Sequence, residues 1–263
     1  MRSRLTGIFS LYIYYPFSRI ARVLRTFSRR IRKKVCKHDQ ATSLPRRGLF
    51  HFSILPSAPR LVSLQKHNGN VTTSELGVLA ALAGKCSVGS HVFEIGTFDG
   101  RTTMNLALNA PLKYEIITLD LPKDVENQFD LAAGERHMVE KEQSGERFLK
   151  GIPGRQQELS RIEQKFGDSA RFDFSPFYSQ CALFFVDGSH SYEYAKEDSY
   201  SALRCVAPGG LIVWHDYGVW KGVGEALDEI QPELQLDLIH LAGTSLVIWQ
   251  CPDLNHLSKL PSK

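Results

Sequence analysis

Residues 91–100 read HVFEIGTFDG, and this stretch decides the fold. Its first half, 91–95, has the apolar and aromatic character of a buried strand, and a helical pattern covers 101–109. Gly96 and Gly100 lie between the two. Glycines at a strand-to-helix turn let the backbone turn sharply and come close to a ligand. The stretch therefore predicts the first strand–turn–helix unit of an α/β sheet that binds a nucleotide-like ligand.

Strand and helix patterns alternate along the chain on both sides of this unit. Strands are predicted over 91–95, 114–119, 161–166, 182–186 and 211–214, followed by an antiparallel pair over 236–240 and 245–250. Helices are predicted over 73–83, 101–109, 192–205 and 223–230. Short apolar strands that alternate with helices are typical of parallel sheets covered on both faces. The predicted fold class is α/β: a doubly wound, mostly parallel, seven-stranded Rossmann-like sheet with a terminal antiparallel hairpin.

The stretch over 122–160 is polar and charged, and it is longer than a crossover between two parallel strands needs. Long insertions near the carboxyl ends of strands often serve as lids or binding loops. We therefore expect this stretch to cover a bound substrate.

The composition of the 263 residues, with 43% hydrophobic and 23% charged side chains, is that of a globular protein and excludes a mostly disordered chain. The charge is distributed unevenly. Residues 1–50 hold 13 Lys/Arg and one acid, a net charge of +12, whereas the rest hold 19 Lys/Arg and 27 acids, a net charge of −8. We therefore divide the chain into a basic arm over 1–37, a linker over 38–60 and one domain over 61–263.

The arm carries apolar residues at helical spacing from Phe17 to Ile31, and arginines fill much of the remainder. This pattern predicts a basic amphipathic helix, which is typical of contact with an anionic membrane surface. The protein would then be cytoplasmic, with residues 1–36 bound to the inner face of the membrane. The alternative is a helix that packs on the domain or on a partner. No recognisable nucleic-acid-binding module accompanies the charge, so a nucleic-acid partner is disfavoured.

The five cysteines form no C-x-x-C pair and are odd in number, which favours reduced thiols over disulfides or a zinc site.

The spacing of the glycine turn distinguishes between two kinds of ligand. A dinucleotide fingerprint reads G-x-G-x-x-G, whereas this turn reads G-x-x-x-G with the acids Glu94 and Asp99 beside it. Carboxylates at this place repel a pyrophosphate but tolerate a zwitterionic amino acid that carries a sulfonium. The turn, with Glu94, Gly96, Thr97 and Gly100 as candidate contacts, therefore favours S-adenosylmethionine over NAD.

Polar side chains also end the next two predicted strands. Asp120 ends the second strand, where its carboxylate is placed to accept hydrogen bonds from both ribose hydroxyls. Asp168 and Ser169 follow the third strand and are placed to reach the adenine amino group. Each acid taken alone has a competing interpretation as a helix cap. Three such strand ends in order favour a nucleoside site, because ligands bind at the carboxyl ends of parallel strands.

Five segments together resemble one family: EIGTFDG over 94–100, LD over 119–120, GDS over 167–169, FVDGSHSYE over 185–193 and PGGLIVWHDY over 208–217. They resemble class I S-adenosylmethionine-dependent methyltransferases, and within them the branch grouped with cephalosporin-biosynthesis and macrolide-sugar O-methyltransferases. The resemblance implies that Gly96 and Gly100 line the methionine part of the donor. It also implies that Asp120 holds the ribose and that Asp168 and Ser169 flank the adenine.

The fourth strand leads into Asp187 and His190, and the fifth into His215 and Asp216. These strand ends are neighbours in a parallel sheet, so the four side chains are expected beside the reactive methyl group, and Asp187 is also a candidate donor contact. One hypothesis is a divalent cation, magnesium or manganese, held by Asp187, His215 and Asp216, with His190 as an alternative ligand. Related catechol-type enzymes bind magnesium with acids at these strand ends, but an imidazole ligand disfavours magnesium.

The other hypothesis has no metal. His190 is then the general base, with Asp187 and His215 as further candidate catalytic residues. An imidazole with an unperturbed pKa of about 6.5 exchanges protons near neutral pH, which suits the removal of a hydroxyl proton. The competing interpretation of each histidine is a hydrogen-bonded structural residue.

The sequence thus predicts methyl transfer from S-adenosylmethionine to a hydroxyl oxygen of a small-molecule acceptor, such as a sugar or a membrane-linked glycan. One alternative is an N- or C-methyltransferase on the same fold. Another is a non-catalytic nucleoside-binding module that is anchored by the basic arm. An NAD-dependent oxidoreductase is disfavoured by the glycine spacing.

Overall fold

The computed structural model of the chain describes residues 43–48, 59–252 and 254–261. The arm over 1–37 and most of the predicted linker lie outside these residues, so the amphipathic helix and its membrane contact stay predictions. All described residues belong to one unit of the chain, 40–263. Among them, no helix combines the length and apolar character that crossing a membrane requires.

The described part of the chain forms eight strands: β1 Arg46–Arg47, β2 His91–Ile95, β3 Glu115–Asp120, β4 Ile162–Phe166, β5 Cys181–Val186, β6 Val206–Trp214, β7 Ile239–Leu241 and β8 Val247–Gln250. It also forms seven α-helices: α1 Thr73–Ala83, α2 Arg101–Asn109, α3 Arg136–Val139, α4 Glu146–Leu149, α5 Gln156–Leu159, α6 Tyr192–Cys205 and α7 Lys221–Leu234. The bounds of β2, α1, α2 and α6 are those predicted from the sequence.

The strands form one sheet in the order β1-β7-β8-β6-β5-β2-β3-β4. The pairs among β2 to β6 are parallel, whereas β8 runs antiparallel to both β6 and β7. This arrangement confirms the predicted doubly wound, mostly parallel sheet with a terminal antiparallel hairpin. It also places the carboxyl ends of β2 to β6 along one rim of the sheet.

The sheet has eight strands rather than the predicted seven. The additional strand, β1, lies within the stretch predicted as linker and pairs in parallel with β7, with Arg46 opposite His240. Main-chain hydrogen bonds from His240 N to Pro45 O (3.0 Å) and from Ala242 N to Arg47 O (2.9 Å) hold it there. Two residues are too few to show a periodicity, so only the unpaired edge of β7 makes them a strand.

Helices cover both faces of the sheet. Buried residues of α6 and α7 pack on one face, and buried residues of α1 and α2 pack on the other. The central strand β5, CALFFV, is buried at every position. A strand that is covered on both faces reads as a continuous apolar run, which is why the sequence pattern located it.

Gly96 joins β2 to the turn that follows and lies against the end of β5. Its φ is +96°, and a Cβ atom at this position would lie 1.9 Å from the carbonyl oxygen of Asp187. The main-chain bond from Asp187 N to Ile95 O (3.0 Å) fixes this close approach. A side chain here would force β2 and β5 apart.

We expect Gly96→Ala to lower the free energy of unfolding by more than about 2 kcal/mol, because the backbone strain and the clash with β5 add together. The matched control is Gly224→Ala in α7, where a Cβ atom meets nothing within 4 Å. That change is expected to be neutral or to stabilise the protein by about 0.5 kcal/mol. Urea unfolding measures both, and a Gly96→Ala variant as stable as the wild type contradicts the assigned packing.

Candidate active site

The carboxyl ends of β2 to β5 border a cleft of about 730 Å³, a volume that includes solvent at its mouth. Five of the predicted donor contacts line it: Gly96, Asp120, Asp168, Ser169 and Asp187. They come from four different strand ends, which the parallel sheet brings side by side.

The other three predicted donor contacts, Glu94, Thr97 and Gly100, do not line the cleft. Glu94 is buried beneath it and accepts hydrogen bonds from the hydroxyls of Thr103 and Thr118, the latter at 2.7 Å. The Thr97 hydroxyl lies 2.6 Å from that of Thr118. Gly100 is the N-cap of α2, with a φ of +82°. These residues stabilise the turn through contacts within the protein, and their contact with a donor stays a prediction.

Asp99, the second acid of the turn, anchors the long segment over 122–160. Arg147, in α4 of that segment, donates to Asp99 Oδ2 from Nε at 2.9 Å and from Nη2 at 2.8 Å. Asn70 donates to the other carboxylate oxygen at 3.0 Å. This acid is therefore engaged within the protein and holds the segment next to the cleft.

The same segment contacts the two acids predicted to bind the ribose and the adenine. Lys141 Nζ lies 2.6 Å from Asp120 Oδ2, in a pair whose two side chains are largely buried. The Gln128 main-chain N–H donates to Asp168 Oδ2 at 2.7 Å. The predicted ribose carboxylate is thus already paired with a cation, and a ligand that uses it must compete with Lys141.

His190 lies at the other end of the cleft between two carboxylates. Its Nδ1 is 2.5 Å from Glu135 Oε2, and its Nε2 is 2.8 Å from Asp216 Oδ2. The ring stacks on Trp220, with centroids 4.5 Å apart and planes inclined by 14°. Contacts at both nitrogens and on one face fix the imidazole in a single orientation.

His215 lies beside this group and contacts three carboxylate oxygens, one of which, Asp216 Oδ2, also contacts His190. Its Nδ1 is 2.8 Å from Asp187 Oδ1 and 3.2 Å from Asp216 Oδ2, and its Nε2 is 3.4 Å from Glu75 Oε2. Asp216 has a φ of +64°, which is the left-handed region that a non-glycine residue rarely adopts. Strain of this kind persists only where the surroundings enforce it, and it is concentrated at functional sites.

The carboxylates keep both imidazoles protonated at neutral pH. Burial by itself lowers the pKa of His190, but the hydrogen bonds to Asp216 and Glu135 outweigh it and raise that pKa to about 9. Burial is likewise outweighed at His215, whose pKa lies well above its usual range because of Asp187 and Asp216. The unperturbed pKa assumed for a general base at His190 therefore does not hold in the free chain.

Asp187, His190 and Asp216 each offer one ligand atom, and these atoms lie within 4.8 Å of one another. The group differs from the predicted triad of Asp187, His215 and Asp216 in its histidine. The sequence places both imidazoles at the same rim, and it gives His190 as the alternative ligand for the cation. The group within this distance contains His190, although the Nδ1 of His215 also contacts both aspartates.

Two acids of the cluster escaped the sequence analysis. Glu75 has the sequence signature of a capping box, and it does make one, since its carboxylate accepts from the Thr72 main-chain N–H at 2.8 Å. It also reaches His215 and accepts from Ser245 N at 2.8 Å. Glu135 lies in the long polar segment, where nothing in the local pattern distinguishes it from the other acids.

Comparison with known proteins agrees with this geometry. Residues 93–217 match the model of a family described as methyltransferase domain. The chain is therefore similar to methyltransferases over this region. The matched region begins in β2 and ends directly after Asp216, so it contains the strand ends that border the cleft. No curated protein sequence matches the chain.

Several solved structures share the fold of the methyltransferase domain. Cofactor-bound Rv0187 from MTB is 18% identical, with a TM-score of 0.50 over 73% of this chain and 85% of that one. The SAH-bound methyltransferase PaMTH1 from Podospora anserina is 15% identical, with a TM-score of 0.51 over 92% and 99%. A protein from Corynebacterium glutamicum is 15% identical, with a TM-score of 0.50 over 71% and 84%. At these identities the likeness establishes the fold alone.

Glu94 generates a prediction on the pH dependence of stability. Burial outweighs its two threonine hydrogen bonds and raises its pKa from 4.5 to about 8. Between these two values the folded state binds more protons than the unfolded state. The free energy of unfolding therefore falls as the pH rises through this window.

Glu94→Gln removes this contribution, so the wild type should lose more stability than the variant between about pH 5 and about pH 9. Urea unfolding at both pH values gives the comparison. Glu163→Gln, at a side chain that is 57% exposed in β4, is the control and should follow the wild type. Parallel pH profiles for wild type and Glu94→Gln would show that this carboxyl is not held neutral.

Proposed function

We propose that this methyltransferase transfers a methyl group from S-adenosylmethionine to a hydroxyl oxygen of a sugar or a similar small polyol. The observation that carries the proposal is the arrangement of the cleft. Asp120 and Asp168 stand at one end, and the cluster around His190 stands at the other. A nucleoside bound at the first end presents its reactive group to the second.

The charge of the cleft supports a cationic donor. Its lining includes the carboxylates of Asp120, Glu135, Asp168 and Asp187, against Lys141 and the His190 imidazole. Carboxylates disfavour the pyrophosphate of a dinucleotide but suit a sulfonium and an amino group. PaMTH1 of Podospora anserina, which has this fold, is a methyltransferase with bound SAH.

The chain's own residues then position the reactants. Asp120 accepts from the ribose hydroxyls once Lys141 has moved away, and Asp168 with Ser169 faces the adenine. The donor supplies an activated methyl group, so alignment and loss of the hydroxyl proton are the main requirements of the reaction. The acceptor oxygen attacks the methyl carbon, the electrons of the S–C bond stay on sulfur, and the proton leaves to solvent at the mouth of the cleft.

We further propose that Asp187, His190 and Asp216 hold a divalent cation beside the acceptor. Two carboxylates and one imidazole form a mixed oxygen–nitrogen set, which suits manganese better than magnesium. Such a cation lowers the pKa of a substrate hydroxyl, which is the chemistry the acceptor needs. His190 is then a ligand rather than the general base, and its Nε2 must lose its proton when the cation binds.

Binding of S-adenosylhomocysteine, measured by calorimetry, tests the donor site. Asp120→Ala should weaken binding at least about tenfold, because hydrogen bonds to a charged carboxylate contribute about 1.5–3 kcal/mol. Lys141→Met should strengthen binding, since it removes the cation that competes for Asp120. The control, Lys150→Met, changes an exposed lysine directly after α4 and should have no effect. A wild-type chain that binds neither donor nor product refutes the proposed function.

Binding of Mn²⁺, measured by electron paramagnetic resonance, tests the cation site. Asp187→Asn should abolish binding, because it removes a charged ligand. His190→Gln should weaken binding more than His215→Gln does, since only His190 belongs to the group within 4.8 Å. A larger effect of His215→Gln would instead support the triad predicted from the sequence. If the wild type does not bind Mn²⁺, the proposed cation site is wrong.

A further inference from the structure

Glu135 is the one carboxylate of the cluster that comes from the long segment over 122–160. It precedes α3 and is 2% exposed. Both of its oxygens are engaged. Oε1 accepts from the Ala132 main-chain N–H at 2.9 Å and from the Ser189 hydroxyl. Oε2 accepts from the His190 main-chain N–H at 2.9 Å and lies 2.5 Å from His190 Nδ1.

The partners of Glu135 belong to two separate elements. Ala132 belongs to its own loop, whereas Ser189 and His190 lie in the turn that leads from β5 to α6. A carboxylate that accepts from Nδ1 fixes the tautomer and the direction of an imidazole, and leaves Nε2 for a second partner. Trp220 stacks on the ring, and Nε2 points to Asp216 Oδ2, which lies at 2.8 Å.

We propose that Glu135 is a positioning residue that holds His190 with Nε2 directed to the acceptor side of the cleft. This side is then complete only when the segment over 122–160, which we call the covering segment, is folded over the cleft. The consequence for the reaction rests on the proposed function, in which His190 is a ligand beside the acceptor. The positioning itself rests only on the contacts of Glu135. Through Lys141 the same segment also reaches Asp120, so one segment contacts both ends of the cleft.

Nuclear magnetic resonance of the full chain with ¹⁵N-labelled histidine tests the positioning directly. His190→Gln identifies the His190 signals among those of the nine histidines. We expect a slowly exchanging Nδ1 proton in the wild type and its loss in Glu135→Ala. Glu135→Gln keeps one acceptor oxygen and should retain the proton in part. Glu140→Gln, on the same segment but at a side chain that is 61% exposed, should leave the signal unchanged.

Two further measurements separate positioning from a general loss of structure. Affinity for Mn²⁺ should fall about 10–100-fold in Glu135→Ala, as is typical when the partner of a ligating histidine is removed. Circular dichroism should show unchanged secondary structure. The inference is overturned if the Nδ1 proton survives in Glu135→Ala, or if Glu140→Gln removes it equally. A wild type that binds neither Mn²⁺ nor S-adenosylhomocysteine refutes the proposed function and leaves the histidine signal to decide on Glu135.

Discussion

Buried carboxylates converge on two imidazoles at the carboxyl ends of β5 and β6, and the site depends on the balance of charge among them. The group consists of Glu75, Glu135, Asp187 and Asp216 with His190 and His215. Carboxylates this close together stay ionised only if positive charge lies between them. Protonated imidazoles supply that charge in the free chain, and a divalent cation satisfies the same requirement. The ion pairs within this group also hold α1, the covering segment and the ends of β5 and β6 together.

The covering segment supplies side chains to the site itself. Arg147 ties it to the glycine turn, Lys141 to the end of β3, and Glu135 to the turn after β5. Each contact is an ion pair or a charge-assisted hydrogen bond in a largely buried place, where such contacts are stronger than in water. Movement of this segment therefore changes the surroundings of both ends of the cleft together.

Most of the sheet was predictable because its signals are local. A strand covered on both faces is a continuous apolar run, as in β5, and a capping box marks the start of a helix such as α1. The exceptions depended on distant partners. β1 is a strand because β7 offers an unpaired edge nearly 200 residues away in sequence. α7 extends on both sides of the predicted 223–230 and includes Pro232, since packing against α6 outweighs weak local propensity.

The sequence by itself determined which strand ends carry acids, imidazoles and glycines, because each of these residues lies at or shortly after the end of a predicted strand. The parallel order of the strands then brings Asp120, Asp168 and Asp187 to one rim. Only the tertiary structure decided which carboxylates each imidazole contacts, and that Glu135 and Lys141 enter the cleft. The physical reason is that ring orientation and the path of a long segment are set by contacts between residues far apart in sequence, which leave no periodic pattern to detect.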